Sequence, residues 1–176
     1  ADAKGLLKSA IRDNDPVIFM ESEQMYGDKG EVPEGEYLIP IGKAIVKRKG
    51  TDVTIVTFGK IYHTVVAAAK ELAKIGIDVE IVDLRTVRPI DYETVLESVR
   101  KTNRLVIVEE AWPLSSISTE IAYKVQREAF DFLDAPIERV TMRDVPMSYA
   151  GHLVEATIPN VPRIMEAVKA VSYVKD

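Results

Sequence analysis

The chain has 176 residues, 47% of them hydrophobic and 29% charged, with a formal net charge of -5 at pH 7. This balance supplies enough apolar mass for a core, and the acidic excess with scattered Lys and Arg argues against sequence-independent nucleic-acid binding. There is no cysteine, so disulfides and thiolate metal sites are excluded, and no apolar run approaches the roughly 20 residues that span a bilayer. The opening ADAKGLLKSAIRDND carries no secretion signal, and an intracellular setting is expected.

In chain order, Ala3, Leu6, Leu7, Ala10 and Ile11 share one helical face, and Asn14-Asp15-Pro16 ends that helix. Val17–Met20 (VIFM) reads as a short apolar strand. One helix and one strand cannot bury their own faces, so residues 1–21 are expected to need a sheet from elsewhere. Residues 22–42 are rich in Gly, Pro and Glu and read as a linker, leaving 43–176 as the main domain.

That domain begins with an edge strand at Ala44–Arg48, a turn at Lys49-Gly50-Thr51-Asp52 and a strand at Val53–Phe58. Ile61, Val65, Ala68, Leu72 and Ile75 mark a helix of 3.6 period that Gly76 terminates. GIDVEIVDLRTVRPID follows, with Val79, Ile81, Val82 and Leu84 in a strand covered on both faces and Asp91 capping the next helix, through Lys101. Leu105–Val108 is a third strand, Ser115-Ser116 opens a helix through Arg127, and Ile137–Met142 is a fourth core strand. Residues 143–160 read as irregular, and a last helix carries Ile164, Val168 and Val171. Alternating strands and helices predict a three-layer α/β/α sandwich, its sheet mostly parallel with an antiparallel edge strand.

Open α/β sheets bind ligands beyond the carboxyl ends of their strands. Thr57, Asp83, Arg85, Glu109 and Glu110 fall there, either as an acid–base group or as caps on neighbouring helices. Gly59-Lys60 follows a strand, but neither GxGxxG nor GxxxxGK[ST] is present, so a nucleotide site is not supported. His63 and His152 belong to no metal motif, and Ser115, Ser116 and Ser118 sit in no nucleophile elbow. No metal site and no complete active site is expected. Trp112 beside Pro113 is either an interface anchor or a core-edge residue, and Asp134 and Glu138, flanking Ala135-Pro136, either attract a basic partner or are solvated acids.

Several blocks occur together in order: GKAIVKRKGTDVTIV (Gly42–Val56), GIDVEIVDLRTVRPIDYETVLESVRKTNRLVIVEE (Gly76–Glu110), FDFLDAPIERVTMRDVPMSYA (Phe130–Ala150) and IPNVPRIMEAV (Ile158–Val168). With DAKGLLKSAIRDNDPVIFMESEQMYG at the start, they resemble the C-terminal half of the E1 β subunits of pyruvate dehydrogenases, among the transketolase-like thiamine-diphosphate enzymes. VPMSYA is similar to the VPMPYA of the pyruvate enzymes, with Ser148 in place of Pro. Branched-chain 2-oxo acid dehydrogenases, deoxyxylulose-phosphate synthases and a free-standing ligand-binding module remain the alternatives.

The resemblance implies a transketolase C-terminal-like domain at 43–176, preceded at 1–21 by the last helix and strand of a pyrimidine-binding domain. It implies that the catalytic Glu and His belong to that preceding domain and that thiamine diphosphate with Mg is held in the intact enzyme, so that this part binds no cofactor and is inactive alone. The partners it implies are the E1 α subunit, a second β subunit, and the peripheral subunit-binding domain of the E2 acetyltransferase. In such relatives an acid at the position of Asp134 and the C-terminal carboxylate, here Asp176, meet basic E2 residues; Glu138 is a neighbour. Exposed apolar surface at Leu6, Leu7, Ile11 and Phe19 is expected to favour self-association. The implied compartment is the bacterial cytoplasm or the mitochondrial matrix.

Overall fold

In the computed structural model, which describes residues 1–174, the chain's centre is a five-stranded sheet. The strands are β1 (Ile45–Arg48), β2 (Val53–Thr57), β3 (Val79–Asp83), β4 (Leu105–Val108) and β5 (Glu138–Val140), in spatial order β1-β3-β2-β4-β5. β1 runs antiparallel to β3, and the remaining pairings are parallel. The helices are α1 (Asp2–Arg12), α2 (Tyr62–Lys74), α3 (Tyr92–Thr102), α4 (Ile117–Glu128), α5 (Gly151–Thr157) and α6 (Val161–Val171).

β2, β3 and β4 are apolar on both faces because both faces are covered. On one, Val53, Ile55, Ile81, Val106 and Val108 pack against Val65 and Leu72 of α2 and Ile164 and Val168 of α6. On the other, Val56, Val82, Leu105 and Ile107 meet Val95 and Val99 of α3 and Ile121 and Val125 of α4. Side chains such as Leu72, Ile81 and Ile121 are fully buried, each contributing roughly 1.5–3 kcal/mol over an exposed position. The predicted sandwich with its antiparallel edge is the observed one.

Local chemistry fixes the element ends. Asp91 caps α3, accepting from the Thr94 backbone N–H at 3.3 Å and the Thr94 hydroxyl at 2.8 Å, and its other bond, from Ala44 N–H at 3.1 Å, ties the cap to the start of β1. Asn160 caps α6 through the Arg163 N–H. Gly76 follows α2 at φ +82°, where a side chain would be strained.

Four local expectations are corrected. Val17–Met20 is extended but pairs with none of the described strands. The fourth strand is only Glu138–Val140 and lies at the sheet edge rather than in its centre. Residues 143–160 include α5, a mostly exposed helix with no apolar stripe to announce it. Leu6 and Phe19 are half-buried, whereas Leu7 and Ile11 are exposed as expected.

α1 is held to the rest by polar contacts more than by apolar burial; its one buried residue is Gly5. The Gly5 carbonyl accepts from Ile39 N–H at 3.2 Å, and the Ser9 hydroxyl donates to the Ile39 carbonyl at 2.6 Å. Asp2 bridges Lys47 of β1 at 2.5 Å and Arg85 beyond β3 at 2.8 Å. Lys8 and Arg12 both pair with Glu36.

Candidate functional site

At the carboxyl edge of the sheet, a cleft of about 280 Å³ is lined by Gln24, Met25, Asp28, Lys60, Ile61, His63, Thr64, Glu110 and Ile158. Gly59-Lys60 leaves β2 and Glu110 leaves β4, so the topology brings Lys60 and Glu110 together at 3.1 Å. Lys60 also donates to the Gln24 amide oxygen at 2.8 Å, and His63 lies 3.2 Å from Asp28. The 22–42 segment is thus fastened across the cleft, with its charges already matched. His63 is a surface residue, as expected, and His152, exposed on α5, does not line the cleft.

The other carboxyl-edge residues serve the fold. Asp83 accepts from Arg85 N–H at 3.1 Å, and Arg85, at φ +58°, turns its guanidinium to Asp2 of α1. Burial raises the Asp83 carboxyl above the usual carboxylate range, against the opposing Arg85 backbone bond and Lys47 charge. Glu109 is fully buried and accepts from Ser118 N–H at 2.9 Å, capping the first turn of α4. Arg139 donates to the Pro113 carbonyl and to the Ser118 hydroxyl, so the serine cluster is a helix start rather than a nucleophile. Thr57 is buried at the end of β2. Trp112 is 55% exposed and its indole N–H donates to the Val145 carbonyl at 3.2 Å, pinning the loop before α5.

Asp134 and Glu138 lie at the opposite, amino edge. Asn103 ends α3 in the left-handed conformation, φ +61°, and holds the loop ahead of β5 twice. Its carbonyl accepts from Asp134 N–H at 2.8 Å, and its side-chain amide donates to the Phe132 carbonyl at 2.8 Å. Tyr173, just past α6, donates its hydroxyl to the Asp134 carbonyl at 3.0 Å. Backbone bonds therefore fix the Asp134 position while its side chain stays 57% exposed, 3.5 Å from Arg104. Exposed rings of Phe130, Phe132 and Tyr173 belong to the same loop and its contact. Glu138 opens β5 and is exposed; Asp176 lies outside the described residues. Trp112 follows β4 at the other edge and is not part of this face.

Sequence reasoning did not single out Asn103, Arg104 or Tyr173. An Asn after a helix signals a left-handed C-cap, but nothing in Ser-Tyr-Val announces that Tyr173 reaches Asp134 across 39 residues.

A diphosphate–magnesium group requires carboxylates grouped for a metal and cations free for phosphate. Among the described residues no group of three or more Asp, Glu, His or Cys is arranged to hold a metal ion, and Lys60 of the cleft is already spanned by Glu110 and Gln24. The residues present do not fit that group.

Residues 42–164 match the family model described as "Transketolase, C-terminal domain". Over 174 residues, 98% of this chain, the sequence is 56% identical to the pyruvate dehydrogenase E1 component subunit beta of Rhizobium meliloti strain 1021, covering 38% of that protein. It is 51% identical over 168 residues, 96% of the chain, to the acetoin:2,6-dichlorophenolindophenol oxidoreductase subunit beta of Cupriavidus necator, covering 50% of it. A solved structure, a split gene transketolase forming an inactive beta4 tetramer, aligns with a TM-score of 0.69 and 28% identity over 84% of this chain and 47% of that one. The chain spans between about two fifths and half the length of these curated relatives.

Proposed function

The chain belongs to the transketolase C-terminal domain family, and from that premise we propose that it is the scaffold and docking part of a pyruvate dehydrogenase E1 β subunit. Residues 43–176 form the family domain, 22–42 the connection, and 1–21 the end of a preceding domain that lies outside this chain. The parent enzyme decarboxylates pyruvate on thiamine diphosphate and reductively acetylates the lipoyl group of E2. Its catalytic Glu and His belong elsewhere in the subunit and its cofactor to the intact enzyme, and this part supplies contacts to the E1 α subunit, a second β subunit and the subunit-binding domain of E2. Its compartment is the bacterial cytoplasm, or the mitochondrial matrix in a eukaryote; no helix among the described residues is long and apolar enough to cross a membrane.

The observation that carries the docking role is the carboxylate of Asp134, exposed on a loop whose backbone is fixed by Asn103 and Tyr173. A preorganised exposed acid at the amino edge of the sheet suits charge-assisted recognition of Lys and Arg, which needs specificity and a fast encounter. Glu138, exposed at the start of β5, extends the acidic character of that region, and the C-terminal carboxylate at Asp176, outside the described residues, is proposed as a further acidic contact. Leu7, Ile11, Ile18 and Met20, exposed near the start, suit cover by the preceding domain or a neighbouring subunit.

The acetoin relative favours one second reading, in which the same scaffold serves a thiamine enzyme acting on acetoin. Expression of the complete β subunit with its α partner, assayed with pyruvate and acetoin separately and with E2 added, tests both. Pyruvate-dependent acetylation of E2 lipoyl groups is expected. Turnover of acetoin without pyruvate turnover would assign the second reading instead.

A further inference from the structure

We infer that Arg104 is an intramolecular competitor for the docking carboxylate of Asp134, setting the affinity and salt sensitivity of that face for a basic partner. The inference rests on the docking reading above and concerns the regulation of the same site.

Arg104 Nη2 lies 3.5 Å from Asp134 Oδ2, and Arg104 Nη1 lies 3.5 Å from the Asp52 carbonyl. Both separations are at the long limit of a hydrogen bond, so the guanidinium rests between two acceptors without a tight bidentate grip on either. The Asp134 side chain is more than half exposed, and solvent screens the pair further. Nor does the guanidinium place Asp134. The Asn103 carbonyl, the Asn103 side-chain amide and the Tyr173 hydroxyl do that through the backbone of residues 132–134. Removing the Arg104 charge would leave the carboxylate where it is, but unneutralised. A partner cation must displace Arg104 or share Asp134 with it, and binding is weakened by the pairing it replaces.

The test is titration of the assembled E1 carrying this chain with the isolated subunit-binding domain of E2, at low and at near-physiological salt. Arg104→Gln is expected to bind about two- to fivefold more tightly at low salt, the range set by an exposed ion pair, mainly through faster association, with the gain shrinking as salt rises. In an Asp134→Asn background the same change is expected to have no effect. Arg104→Lys, which keeps a competing charge, is expected to bind like the parent, and covers the case in which the Gln variant does not fold. Weaker or unchanged binding by Arg104→Gln, while Asp134→Asn still loses affinity, overturns the competitor role and leaves the docking reading standing. An equal gain in the Asp134→Asn background also overturns it, because the effect would then be one of overall charge. If Asp134→Asn itself changes nothing, the docking reading fails and this inference with it.

Discussion

Lys101 of α3 reaches the carboxylate of Glu80, which is the second residue of β3 and is 2% exposed. The same carboxylate accepts from the Ser98 hydroxyl at 2.7 Å and the Gly50 N–H at 3.3 Å. Ser98 continues to Thr54, and Thr54 to Thr102, both at 2.7 Å. A buried carboxylate is tolerated when its charge is matched and its lone pairs are occupied, and this network meets both conditions. Lys101→Met should therefore destabilise the chain by about 1–3 kcal/mol, the cost of leaving a buried charged group short of a partner. Glu80→Gln should cost less, because the charge leaves with the salt bridge. Urea unfolding of both variants checks the order, and equal stability of Lys101→Met and the parent would remove the network from the account.

Gly50 sits where the β1–β2 turn crosses β3. A Cβ there would fall 2.2 Å from the Val79 carbonyl carbon and 2.4 Å from the Glu80 N. These are backbone atoms at the start of β3 and cannot swing aside. Gly50→Ala should cost on the order of 1–3 kcal/mol or more, the range for overpacking, and should also disturb the Glu80 network next to it. Unfolding midpoints measure the first effect, and hydrogen exchange at Thr54 and Ser98 the second.

The attachment of α1 should be pH-dependent. Burial opposes ionisation of Asp2, but the hydrogen bond and charge of Lys47 and the charge of Arg85 outweigh it and hold the carboxyl below its ordinary range. Lys8 and Arg12 hold Glu36, on the linker side of the helix, down to about 2. Both folded values are depressed, so their contribution is complete above the ordinary carboxylate range and is lost as pH falls through the folded values. Asp83 acts with the opposite sign, since its raised value penalises the folded state once it ionises. Hydrogen exchange should show α1 amides losing protection below about pH 4, ahead of α2 and α3. Asp2→Asn should weaken that protection already at neutral pH. Loss of protection in all three helices at one pH would contradict a separately held α1.

Much of this was legible because the central strands are buried on both sides. Val53–Thr57, Val79–Asp83 and Leu105–Val108 read as apolar runs, and helices with the 3.6 period separate them, which leaves few topologies open. Asp91 was recognisable as a cap because it directly precedes a periodic run. Glu80 was not. A single acid inside VEIVD looks like a solvent-facing strand position, and only the packing of α3 shows that its partners come from Ser98 and Lys101. Val17–Met20 misled for the converse reason: apolar, β-prone residues make a strand only when they pair with one, and this segment pairs with none of the described strands. Asp134 stood out as an acid beside Ala-Pro, but the bonds that fix it come from the end of α3 and the segment after α6, which local sequence patterns do not connect.

The docking role of the amino edge is the central claim, and the Asp134 charge tests it most directly. Calorimetric titration of the assembled E1 with the E2 subunit-binding domain should show Asp134→Asn weakening binding by about 1–3 kcal/mol, with the stability of the domain unchanged. An affinity equal to that of the parent at low salt would contradict the account and return Asp134 to an ordinary solvated acid.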